Sequence, residues 1–156
     1  MRLGNFILRD MELILERWEL FASTYLPPAA HMSSLSVRGH LSEILEAIVA
    51  DLQNPHTRSE QSAKSMGLAV SAPGAPLTAA QMHALARVES GFDIDQLSAE
   101  FRALRASVLG GWMDACLPKM VYVDDIMGFN EAIDQVMAEA TGIFAANMTP
   151  STRTPA

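Results

Sequence analysis

Residues 91–117 read GFDIDQLSAEFRALRASVLGGWMDACL. Within them Ile94, Leu97, Phe101, Leu104, Val108, Trp112 and Ala115 recur at spacings of three and four, the period of one face of an α-helix. Asp93 with Gln96 three residues later is a capping pair, in which each side chain satisfies a backbone N–H at the helix start. Pro118 ends the run, because it has no N–H and its ring collides with the preceding turn. Asp95, Ser98, Arg102 and Arg105 are expected on the outer side. Gly110 and Gly111 interrupt the pattern, each costing about 0.8–1 kcal/mol against alanine inside a helix. They predict a hinge, a break into two helices at 109–111, or the close approach of a neighbour.

Working outward, the last helix is expected to start near Asp124-Asp125, whose charges suit the positive end of the helix dipole. Its apolar seam is Ile126, Phe129, Ile133, Val136, Ala140 and Ile143, widened by Met137, Phe144 and Met148. Upstream, Thr78 and Gln81 form a second capping pair that opens a helix with Met82, Leu85, Ala86 and Val88 inward. Ser90-Gly91 is its stop signal. Residues 67–77 are a loop rich in Pro, Gly and small side chains. Thr57 and Glu60 suggest another cap, for a short polar helix reaching about Met66.

Nearer the N-terminus, Met11, Ile14, Leu15, Trp18, Phe21, Ala22 and Tyr25 predict one helix, capped by Asp10 and stopped by Pro27-Pro28. Val37, Leu41, Ile44, Leu45, Ile48 and Leu52 predict another, capped by Ser34 or Ser36. Leu3–Leu8 predicts a short turn. No period-two alternation and no internal repeat is visible. The expectation is an all-α protein: a single helical domain over 1–148, with about five main helices and one or two short ones. A disordered tail is expected over 149–156.

The chain has 156 residues, a formal charge of −7 and 19% charged residues. One domain with a real core fits that length. The acidic balance disfavours nucleic acid and anionic lipid as partners. No apolar run reaches the roughly 18 residues of a membrane span, and a cytoplasmic protein is expected. The single cysteine, Cys116, excludes an intramolecular disulfide and reads as a core residue.

No motif places an active site. The histidines are His31, His40, His56 and His83, with no pair at i, i+4 and no cysteine partner. Metal-ligand motifs are therefore missing. His40 and His83 lie within predicted helices. The commoner role for such residues is a hydrogen-bonded histidine at the edge of a core. The sharper one is contact with haem or another small ligand, with His83 as axial ligand.

Several ordered blocks resemble the RsbRD-type N-terminal domain, the sensory region named after the RsbT co-antagonist proteins, as found in bacterial cytoplasmic sensor histidine kinases. They are Gly91-Phe92-Asp93-Ile94-Asp95-Gln96-Leu97, Glu100 to Leu109, and Phe129-Asn130-Glu131-Ala132-Ile133-Asp134-Gln135. Phe6-Ile7-Leu8, Ile14 to Trp18, Phe21, Ile44 to Ile48 and Glu60 to Ser65 also resemble it. The resemblance implies a globin-like bundle that usually binds no haem. It implies a non-catalytic input and dimerisation domain acting on a histidine kinase or stressosome-type regulator by a helix-packing switch. On that reading the chain is a homodimer without cofactor, and Trp112, Ile126, Phe129, Ile133 and Val136 are interface candidates. Gly110, Gly111 and Gly128 depart from the pattern, which has larger and often basic residues there. The alternative is a globin-like sensor that does bind haem or a small ligand.

Overall fold

The computed structural model describes residues 1–54, 60, 63, 66, 74–116 and 122–148. It is all helical, and no strand occurs among the described residues. In order come α1 (Leu3–Arg9), α2 (Met11–Tyr25), a 3-10 turn (Pro27–His31), α3 (Ser34–Arg38), α4 (Leu41–Gln53), α5 (Ala79–Glu89), α6 (Ile94–Cys116) and α7 (Val123–Met148). The segment 67–73, the cap proposed at Thr57, Pro118 and the tail from 149 lie outside the described residues.

The long helix is continuous. It is preceded by Gly91 at φ +83°, a conformation glycine adopts without strain. The Asp93–Gln96 pair forms as expected: Gln96 N–H donates to Asp93 at 2.7 Å, and Asp93 N–H donates to Gln96 at 2.9 Å. Thr78 and Gln81 make the same reciprocal pair at the start of α5. Neither glycine breaks α6. Gly110 faces open space, whereas a Cβ at Gly111 would lie 3.0 Å from Phe6 Cζ. Close approach of α1 therefore explains Gly111, and the break into two helices at 109–111 does not occur.

Two other expectations change. The single helix predicted across 37–52 is two helices, α3 and α4, because the chain turns at Gly39. The cap of α3 is Ser33, whose hydroxyl accepts from Ser36 N–H at 3.1 Å. Asp10 gives α2 no side-chain cap and pairs instead with Arg9.

The core runs through the bundle from Leu3, Phe6 and Ile7 past Trp18, Leu45, Ile48, Phe101 and Leu104 to Phe129, Ile133 and Phe144. Among the described residues α5 packs most extensively against α7, and α6 packs against both α2 and α7. Arg38 ties α3 to Glu12 and Glu19 of α2, and Arg105 ties α6 to Asp134 of α7. The N-terminus closes the other end. Arg2 and the Leu3 N–H both donate to Asp125 at the start of α7, and the Met1 carbonyl accepts from Trp112 at 2.9 Å.

Trp112, Phe129 and Ile133, expected at a dimer interface, are 1%, 0% and 0% exposed within one chain. They belong to its own core. Ile126 and Val136 are half-buried against that core. Cys116 is also only half-buried, and its thiol donates to the Met1 carbonyl at 3.3 Å.

Candidate functional site

On α5 the buried face carries Ala80, His83, Ala84 and Arg87. Met82, expected inward, is exposed, and Leu85, Ala86 and Val88 are half-buried. The helix thus turns its histidine and arginine into the protein. On α6 the matching position is Glu100, which stands between Leu97 and Leu104 on the buried face. His83, Arg87 and Glu100 are 0%, 1% and 0% exposed, and they meet.

The contacts determine the chemistry. Glu100 accepts from Arg87 Nε through Oε1 at 2.8 Å, and its Oε2 lies 3.1 Å from His83 Nε2. His83 Nδ1 accepts the backbone N–H of His40 at 3.3 Å. A backbone N–H only donates, so Nδ1 must be the bare nitrogen and Nε2 must carry the proton toward Glu100. The neutral ring is thereby held in one tautomer. Burial pushes the His83 imidazole below its ordinary value, while the Glu100 carboxylate pulls it upward.

Arg87 extends the network. Its guanidinium donates to the Ser36 carbonyl at 3.0 Å and also to the Val37 carbonyl. These carbonyls lie near the C-terminal end of α3, where a positive charge complements the helix dipole. The Phe92 ring lies against the guanidinium with its centroid at 4.7 Å. From α2, the Trp18 indole donates to the Glu100 carbonyl at 3.1 Å. One cation, one anion and one neutral imidazole therefore join α2, α3, the start of α4, α5 and α6.

The Gly39-His40 corner is shaped for this contact. Gly39 has φ +52° and ψ −122°, and His40 has φ −101° and ψ 16°. These are close to the central dihedrals of a type II′ turn, which favours glycine first. The turn aims the His40 amide at His83. The His40 ring stands edge-on to the His83 ring, with centroids 6.4 Å apart. Its Nδ1 is buried and has no hydrogen-bond partner among the described residues.

The structure thus brings together the two histidines singled out from sequence, with His83 in the hydrogen-bonded role that is the commoner one for such residues. In this arrangement both ring nitrogens of His83 are engaged by protein groups. Among the described residues no cluster of three His, Cys, Asp or Glu is placed to hold a metal. Sealed from solvent, the cluster can hold helices in register and respond to a proton.

Glu100 and Arg87 are not among the candidate site residues named from sequence. A signal existed: Leu97, Glu100, Phe101, Leu104 and Ala80, His83, Ala84, Arg87 are both buried-face patterns at i, i+3, i+4, i+7. Each contains a charge, and the charges are opposite. Buried charges are rare unless paired.

No protein-family model matches this chain, and no curated protein or solved structure is significantly similar to it. Among the described residues no helix is long and apolar enough to cross a membrane.

Proposed function

We propose that this chain is a non-catalytic signal-input and dimerisation domain of the RsbRD type, acting on a histidine kinase or stressosome-type partner. The observation that carries the reading is where the resembling blocks fall. The block from Gly91 to Leu109 includes the positive-φ glycine, the reciprocal cap and most of the buried face of α6. The block from Phe129 to Gln135 is the buried centre of α7. These positions set the packing of the two longest helices, which is the element an input domain would switch. A packing of long helices around α6 and α7 is compatible with a globin-like arrangement.

On this reading the domain works by population shift, a stimulus favouring one arrangement of the long helices over another. With Trp112, Phe129 and Ile133 in the core, the dimer contact falls to the outer edges of these helices. There Met113 and Met127 are 48% and 54% exposed. The test has two parts. Sedimentation of the purified chain at high micromolar concentration is expected to show a dimer, which Met127→Glu weakens. A fusion of α7 in helical register to a histidine-kinase dimerisation and phosphoacceptor region is expected to make autophosphorylation depend on this domain. A strict monomer together with an unresponsive fusion overturns the proposal.

A further inference from the structure

We propose that the Gly39-His40 corner between α3 and α4 is an acid-released latch, opened when His83 takes up a proton at Nδ1. This inference is independent of the signalling reading.

The geometry carries it. Nδ1 is the only unprotonated nitrogen of the His83 ring, and it accepts the His40 amide. A proton added there points N–H against N–H, so the bond to His40 cannot survive. The Nε2 side has no reason to move, since Glu100 accepts from it in either charge state. The displaced group is therefore the corner. The corner lies close against the ring, where even a Cβ on Gly39 would meet Nδ1 at 2.9 Å. Phe101 stands edge-on to the other side of the ring.

Every element packed around His83 contributes to the balance. Its own helix supplies the Arg87 cation, α6 supplies the Glu100 anion, and the corner supplies the His40 ring. From α2 the cluster receives the neutral Trp18 indole. Among the described residues no ionisable group of α7 acts on the ring. The single anion is already shared with Arg87, so a second cation in this space has no counter-charge of its own. Opening the corner lets water reach the ring and removes that conflict.

The sign follows from the depressed pKa of the closed state. The closed corner holds a neutral ring, while an opened ring titrates near its ordinary value of about 6.5. The latch is fully closed above that pH. It loses stability as the pH falls, by about tenfold in the opening equilibrium per unit, until the closed-state value is reached.

Amide hydrogen exchange and ring-nitrogen NMR on the full chain test this between about pH 7.5 and pH 5. The expected result, after correction for intrinsic exchange, is that amides around Gly39–Leu45 open about tenfold more per pH unit below about pH 6.5, while α7 stays protected. His83→Gln, which keeps a donor for Glu100 and cannot titrate, is expected to abolish that slope, and His40→Gln to retain it. Parallel opening of α7, an unchanged corner, or a slope that follows His40 would overturn the proposal. Should His83→Gln not fold, the wild-type spectra decide. The Nδ1 signal is expected to protonate together with loss of the His40 amide hydrogen bond. A ring that charges with that bond intact overturns the latch.

Discussion

Gly39 and His83 stand so close that a single methyl group on residue 39 would lie 2.9 Å from the imidazole Nδ1. The first is a turn residue on a surface corner and the second a buried side chain on another helix. Gly39→Ala therefore meets two penalties, a positive φ and a fixed neighbour. It is expected to destabilise the fold by at least about 1–3 kcal/mol, the usual cost of one sparsely populated backbone conformation. Urea denaturation checks this. An unchanged midpoint would show that the corner is not locked against His83.

Gly110 and Gly111 should part company. Gly110→Ala adds a methyl in open space on an exposed helix position and is expected to stabilise by about 0.8–1 kcal/mol. Gly111→Ala brings the same propensity gain but drives its methyl to 3.0 Å from Phe6, itself packed in the core. A net loss of stability is expected for it. Thermal denaturation of the two single variants separates the effects, and equal gains would refute the close contact with α1.

Glu100→Leu removes the buried anion and leaves Arg87 uncompensated. Breaking one side of such a pair costs about 3–5 kcal/mol, whereas replacing both sides by apolar groups is often near neutral. Adding Arg87→Met should recover part of the loss. Recovery will be incomplete, because Arg87 also serves the Ser36 and Val37 carbonyls. A double-mutant cycle by chemical denaturation measures the coupling. Strict additivity would mean that the pair is not coupled.

Asp125 gives a separate acid dependence at the opposite end of the bundle. Burial pushes its carboxyl upward, but hydrogen bonds from Arg2 and the Leu3 N–H outweigh this and hold it below the ordinary carboxylate value. Its contribution is present above that ordinary value and is lost as the pH falls through the depressed one. Asp125→Asn should lower the melting temperature at neutral pH, with the difference from wild type shrinking below about pH 4. A gap that stays constant into strong acid would contradict the ion pair.

The helices themselves were largely legible in the sequence. The extents of α2, α5, α6 and α7 followed from apolar spacing and capping pairs, which are local properties of the chain. The central site was not. Period reading places charged side chains outside, so it rotated α5 toward Met82 and Leu85 and passed over Glu100 and Arg87. Each of these is buried only because the other supplies its counter-charge from a different helix. That is a non-local condition, invisible to a window along one helix. Gly39 was likewise absorbed into a longer helical pattern, although a glycine beside a polar residue is itself a turn signal.

The clasp at the N-terminus has a consequence for how the chain acquires its structure. The Met1 carbonyl and the Leu3 amide find their partners 111 and 122 residues further along. During synthesis α1 therefore emerges long before anything exists for it to bind there. Contacts of such long sequence separation are entropically late, so this clasp should close after α1 has already packed against α2 and α4, its nearer partners in the chain. A nascent chain arrested before Asp125 would leave Arg2 and the Leu3 N–H without the carboxylate they share, and this end of the bundle unclasped.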